Sequence, residues 1–160
     1  MVKKIHQYNI TNEWTGNLGE GTKTYKTYSR DHVLSSQGKQ HQILAASDPS
    51  FLGNPKRYNP EELFVASLSA CHMLWFLHLC ASNNITVISY IDQAEGTMEE
   101  QKNGSGRFSK VTLKPRVIIK KADNMDLCSS LHHQANQMCF IANSCNFPID
   151  HEPTTLIEKG

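Results

Sequence analysis

Two cysteines stand out as candidates for nucleophilic chemistry. Cys71 lies in the middle of the most apolar run in the chain, Leu63 to Ala81, and Cys139 follows 68 residues later at the end of a second helical segment. A thiol attacks only as its thiolate. The apolar run brings no charge near Cys71, so burial alone would hold its pKa above the ~8.5 of a free side chain and leave it inert. A reactive Cys71 therefore needs a cation delivered by another segment. The chain has four arginines, Arg30, Arg57, Arg107 and Arg116. Arg30 ends the second expected strand, and Arg57 lies in the loop feeding the apolar run. Either could offer a planar fork of N–H groups to a thiolate and an oxygen substrate. The residues alone do not choose between them, and simple packing is the competing reading for each cysteine.

Five cysteines is an odd number, and a reducing compartment disfavours structural disulfides, so redox or metal chemistry comes before a stapled fold. Cys80 is more than two helical turns from Cys71, and Cys128 about three turns before Cys139, so both are assigned to packing. His72, His78, Cys80, His132 and His133 form a rival zinc-ligand set. No CxxC or HxxxH spacing supports it, and the adjacent His132 and His133 point apart on a helix. His72 and His78 read as hydrogen-bonded core or interface groups. No Gly-x-Ser-x-Gly or phosphate loop is present to support a hydrolase or a nucleotide enzyme.

The elements that must position these groups follow from turn residues and patterning. Residues 5–15 and 21–34 read as strands joined by a turn containing Gly16, Gly19 and Gly21. Ser36 to Lys39 is a second turn, leading to a strand at His41–Ala45. Residues 47–59 form an irregular loop, and Asn59-Pro60 fits an N-cap with proline at the first helical position. Glu61 and Glu62 favour the same start. The helix should end near Asn83-Asn84, followed by a strand over Ile85–Ile91 continuing past a bulge through Met98. Residues 102–106 form a hairpin tip and Phe108–Lys121 the returning strand. Asp123-Asn124 can cap a helix through roughly Asn143, with a closing strand in the tail.

This order predicts an α+β fold: two antiparallel meanders around a long buried central helix, then a second helix and a short closing strand. A chain of 160 residues can close one core, so a single domain over residues 1–160 is expected. The central helix is apolar on nearly every face and needs more cover than one meander supplies, which predicts a homodimer. Sixteen Lys and Arg against fifteen Asp and Glu give a net charge of +1 without charge blocks, arguing against nucleic-acid or membrane partners. The polar Gln7, Asn9, Thr11 and Asn12 replace the apolar stretch of a signal peptide, so a cytoplasmic protein is expected. The run from Leu63 to Ala81 carries two histidines and two cysteines and reads as a buried rather than a membrane-spanning helix.

Asn59-Pro60-Glu61-Glu62-Leu63-Phe64, followed by Ser69-Ala70-Cys71-His72, resembles the helix motif of the OsmC/Ohr family of thiol peroxidases. Trp14-Thr15-Gly16, the Ser47-Asp48-Pro49 loop, the glycine-rich hairpin and Met138 to Ser144 extend the resemblance over nearly the whole chain. It implies an intertwined OsmC-like homodimer that reduces organic hydroperoxides and hydrogen peroxide. Cys71 would attack the peroxide and become a sulfenic acid, and Cys139 would condense with it to a disulfide. A dithiol reductant, such as a lipoylated protein, would reopen the bond. No metal, flavin or haem is required. Arg30 matches the family's activating arginine better than Arg57, and Glu61 matches the glutamate that orients it, with Glu62 in reserve.

Glu61 precedes Cys71 by ten residues, or about 15 Å of helix. The two cannot share a contact within one helix, so either Arg30 spans the gap or the site draws on two subunits. Many family members carry proline directly after the second cysteine, whereas Phe140 stands here and Cys145 lies six residues on. Cys145 is the second choice as resolving thiol. The other readings are a non-catalytic OsmC-like binding or stress protein and a His/Cys metal-binding protein. Phe51, Phe64, Met73, Trp75 and Phe140 would suit an alkyl hydroperoxide if they line the pocket.

Overall fold

The structure, a computed structural model, describes residues 4–121 and 123–159. The chain divides into two compact units, the first ending at Leu63 and the second starting at Phe64, with the division falling inside the long helix.

The first unit carries a three-stranded antiparallel sheet, β1 (Thr11–Trp14), β2 (His32–Ser35) and β3 (Ile43–Ala45), in the order β1-β2-β3. The two long strands expected over residues 5–15 and 21–34 shorten to four residues each. The cause lies in the turn chemistry between them. Asn17 Oδ1 accepts from the N–H groups of both Gly19 (2.9 Å) and Gly21 (3.0 Å). Those glycines take φ of +113° and +57°, so the chain there folds into local turns instead of a ladder. The loop is pinned to β1 by Trp14 Nε1, which donates to the Ser29 carbonyl at 2.8 Å.

Helix α1 (Pro60–Ser82) begins on a reciprocal cap. Asn59 Oδ1 accepts from the Glu62 N–H at 2.7 Å, and the Glu62 carboxylate accepts from the Asn59 N–H at 3.0 Å. The helix ends where Asn84 turns left-handed at φ 59°. The Ile85 N–H then reaches the Cys80 carbonyl (2.9 Å) and the Asn84 N–H the Ala81 carbonyl (3.3 Å), which is a Schellman closure. The sequence places both ends correctly. Within one chain only Leu68, His72, Phe76, Leu79 and Cys80 of this helix are buried. Ala66, Ala70 and Leu74 form an opposite, exposed apolar stripe, with Leu74 at 63% exposure.

The second unit folds two further three-stranded sheets and helix α2 (Met125–Met138). Strands β4 (Val87–Asp92), β7 (Pro115–Ile119) and β9 (Thr154–Ile157) form one in the order β4-β7-β9. Strands β5 (Glu95–Glu100), β6 (Gly106–Leu113) and β8 (Ile149–His151) form the other in the order β5-β6-β8. The expected single hairpin is thus broken midway into two sheets, and Asp92 sits at the break. Its Oδ1 accepts from the Lys114 N–H at 2.7 Å and its Oδ2 from the Ser69 hydroxyl of α1 at 2.5 Å. The tail supplies two strands, where one was expected, and both pair in parallel: β8 with β6 and β9 with β7. Parallel pairing needs a crossover, and α2 provides it between β7 and β9.

Apolar groups in this unit gather in two clusters. Phe76, Leu79, Cys80, Ile85, Val117, Ile119, Cys128, Leu131 and Ala135 tie α1 and α2 to the first of these sheets. Leu68, Val111 and Leu113, with Phe64, Phe108 and Phe147 beside them, form the second cluster. Helix α2 starts with Asn124 Oδ1 accepting from the Leu127 N–H at 2.9 Å. It stops at Met138 rather than near Asn143, because Cys139 leaves the helical region at ψ 110° and the Asn143 side chain donates to the Gln137 carbonyl at 2.9 Å.

Candidate functional site

The two helices meet through His72 and His132, whose ring nitrogens lie 3.1 Å apart. Cys71 lies half-buried in the middle of α1, and Cys139, 1% exposed, caps the end of α2. Burial pushes the Cys139 thiol up to about 11; the Ala142 N–H, 3.4 Å from its Sγ, opposes that shift, while the Cys71 thiol adds to it. At neutral pH Cys139 keeps its proton. Cys145 is half-buried and its thiol donates to the Ile141 carbonyl at 3.3 Å, inside its own short turn.

Cys71 opens on a cavity of about 390 Å³ lined by Leu74, Trp75, His78 and Phe140 as well as Cys71 itself. Trp75 meets Phe140 edge-on at 5.6 Å and His78 edge-on at 5.8 Å. Of the aromatic and apolar residues expected at a pocket, Trp75 and Phe140 are there. Phe64 instead packs on Phe108 at 5.0 Å, in the second cluster. Leu74 and His78 were missed, although positions 71, 74, 75 and 78 follow helical spacing and share one face with Cys71. The polar side-chain groups of the lining residues are a thiol, an imidazole and the Trp75 indole N–H, so the cavity suits an apolar molecule with one polar end.

Beside Cys71, His72 is fully buried and its Nε2 lies 3.1 Å from His132 Nδ1. His132 stacks on Phe76 at 3.8 Å, and His151 lies 5.7 Å from the His72 ring. Burial, reinforced by His151, lowers His72 to about 4. Burial, with His72 and His151, lowers His132 to about 3. Both are neutral at pH 7 and bring no positive charge to the thiols. The adjacent His133 is exposed, so the two neighbouring histidines do point apart. Among the described residues, no three His, Cys, Asp or Glu side chains are gathered as a metal site.

The candidate cations belong to the first unit. Arg30 donates through Nη1 to the Tyr28 carbonyl (2.7 Å) and through Nη2 to the Tyr25 carbonyl (2.6 Å). Its guanidinium also lies over both tyrosine rings, at 4.3 and 4.2 Å. Its orienting partners here are two carbonyls and two rings, where the resemblance implied Glu61. Among the described residues neither Glu61 nor Glu62 forms an ion pair, and Glu62 is engaged as the α1 cap. Arg57 pairs through Nε with Asp31 at 3.3 Å and donates to the His32 carbonyl at 3.4 Å. That contact holds the loop before α1 against the start of β2.

The sequence profile described as OsmC-like protein matches residues 53–154. An OsmC-like protein of unknown function from Vibrio cholerae is 32% identical, with a TM-score of 0.83 over 94% of this chain and 100% of that one. An organic hydroperoxide resistance protein from Elizabethkingia anophelis superposes at a TM-score of 0.66 with 20% identity, covering 96% of this chain and 99% of the other. The organic hydroperoxide resistance protein OhrB of Bacillus subtilis gives 0.60 at 14% identity, over 94% and 98% of the two chains. No curated protein matches the sequence.

Proposed function

Since this chain belongs to the OsmC-like family, we propose that it is a cysteine-based peroxidase reducing organic hydroperoxides and hydrogen peroxide. The observation that carries this reading is a half-buried Cys71 opening on an apolar cavity whose wall includes Phe140, the residue after Cys139. A thiolate at Cys71 attacks the terminal oxygen of the hydroperoxide and the O–O bond breaks. The alkoxide takes a proton and leaves as alcohol, and Cys71 is left as a sulfenic acid. Cys139 condenses with it, releasing water and forming the Cys71–Cys139 disulfide. A dithiol, such as a lipoyl group on a partner protein, reduces that bond by exchange and restores both thiols.

The activating cation is Arg30, with Arg57 as the alternative and Glu61 as orienting carboxylate. In this reading the Arg30 positive charge favours the Cys71 thiolate, and its N–H groups stabilise the departing oxygen. The exposed stripe of Ala66, Ala70 and Leu74 pairs with a second copy of the chain, giving a homodimer with two sites. The protein works in the reducing cytosol, where its disulfide can be reopened.

Single-turnover consumption of cumene hydroperoxide tests the assignment. Cys71→Ser abolishes it, and Arg30→Gln slows it by 100-fold or more while leaving the fold intact; about 2.7 kcal/mol corresponds to that factor. If Arg57→Gln slows the reaction and Arg30→Gln does not, the cation is Arg57. If Cys71→Ser reacts as fast as the wild type, the chain is a binding relative with inert thiols.

A further inference from the structure

Four of the five residues lining the cavity, Cys71, Leu74, Trp75 and His78, lie on successive turns of one face of α1. The fifth, Phe140, stands edge-on to Trp75. The cavity is therefore drawn out along the helix, with the thiol at one end and the His78 imidazole at the other. Seven residues separate these two groups, or about 10.5 Å at ~1.5 Å per residue. At that distance His78 is out of reach of peroxide oxygens held at Cys71, so it has no part in breaking the O–O bond.

The ring is nonetheless set to meet a ligand. It lies edge-on to Trp75 at 5.8 Å, which holds it against the apolar floor. The imidazoles that form hydrogen bonds among the described residues are those of His32, His72, His132 and His133, and the His78 ring is not one of them. It is exposed, whereas His72, next to the thiol in sequence, is fully buried against His132. A packing role at position 78 would be filled by any aromatic side chain. An imidazole adds an N–H donor, which it keeps whether neutral or protonated. The other nitrogen donor of the lining, the Trp75 indole, is one turn from Cys71, about 6 Å along the helix axis.

We propose that His78 is a specificity-determining residue, which binds a carboxylate carried by the hydroperoxide about 10 Å from its peroxide group. This rests on the peroxidase reading of Cys71. An extended carbon chain advances roughly 1.2 Å per bond, as a peptide backbone does over three bonds per residue, so the favoured spacing is about eight carbon–carbon bonds. The intervening chain lies over Leu74 and Trp75. The imidazole donates a charge-assisted hydrogen bond to the carboxylate, while any tail beyond the peroxide is unconstrained. Without such a donor an apolar trough would favour the neutral ester of the same molecule, because a carboxylate loses hydration on entering it.

Single-turnover rates with four peroxides test this: 9-hydroperoxyoctadecadienoic acid, its methyl ester, the 13-hydroperoxy isomer and cumene hydroperoxide. The 9-isomer carries its peroxide eight bonds from the carboxylate carbon and the 13-isomer twelve. Wild-type protein should consume the 9-acid about tenfold faster than either its ester or the 13-acid. His78→Phe, which keeps an aromatic ring beside Trp75 and removes the donor, should bring the acid-to-ester ratio to one or below. His78→Gln, which keeps an N–H donor, should retain part of the preference. A wild type that consumes cumene hydroperoxide but favours the ester overturns the proposal and leaves the peroxidase reading standing. So does an acid-to-ester ratio that His78→Phe does not change, and so do equal rates for the two acids. A wild type that consumes none of the four overturns both.

Discussion

At Cys139, burial and the Cys71 thiol favour the protonated form against the pull of the Ala142 N–H, which suits the resolving role in the proposed cycle. Cys139→Ser should accordingly leave Cys71 trapped as sulfenic acid after one turnover, detected as a dimedone adduct on the Cys71 peptide. Phe140 stands edge-on to Trp75 as a wall of the cavity. Removing an edge-on aromatic contact is worth about 1 kcal/mol. Phe140→Ala should therefore lower kcat/KM for cumene hydroperoxide about fivefold while leaving hydrogen peroxide nearly unaffected; equal losses for both substrates would show that Phe140 does not shape the binding site. That Trp75 and Phe140 could line a pocket at Cys71 was legible in the sequence. The carbonyl and tyrosine contacts that hold Arg30 were not, because they depend on a loop folded by Asn17 and its glycines rather than on any spacing along the chain.

Helix α1 is the element on which the site depends, and its first turn rests on the Asn59–Glu62 reciprocal cap. Asn59→Ala should cost about 1 kcal/mol in urea unfolding, the usual worth of an N-cap. The buried His72–His132 contact joins α1 to α2, with Phe76 stacked on His132 and the His151 ring of β8 5.7 Å from that of His72. Their folded pKa values, about 4 and about 3, lie below the ~6.5 of the unfolded chain. The unfolded state then binds more protons between those values, so stability is full above pH 6.5 and falls as the pH drops toward 4. Urea midpoints measured between pH 7.5 and 4.5 should fall, and His132→Phe should flatten the slope by up to about 1.4 kcal/mol per pH unit. A slope unchanged by that substitution would remove the histidines from the acid response. Both helix starts were readable from Asn59-Pro60 and Asn124. The end of α2 was not, because the Asn143 side chain captures the Gln137 carbonyl from outside the helix. Nor were the parallel pairings of β8 and β9, which a crossover sets and no local pattern encodes.

The whole molecule must accommodate a helix that is apolar nearly all round yet buried, in one chain, along a single stripe. The sequence carried that message in its composition, and the exposed Ala66, Ala70 and Leu74 give it a location. The homodimer reading predicts that sedimentation finds two copies per particle and that Ala66→Glu/Ala70→Glu yields a folded monomer; a wild-type monomer at micromolar concentration contradicts it. The sequence pairs Cys71 with Cys139 only through the family resemblance, since nothing along the chain reports which helix faces meet. Turnover by the proposed cycle depends on the two sulfurs reaching each other. The most direct measurement is intact mass and thiol count after one equivalent of cumene hydroperoxide, followed by peptide mapping without reductant. The predicted result is the loss of two thiols with no added oxygen and a Cys71–Cys139 linked peptide. An oxidised protein in which Cys71 and Cys139 both remain alkylatable would contradict it.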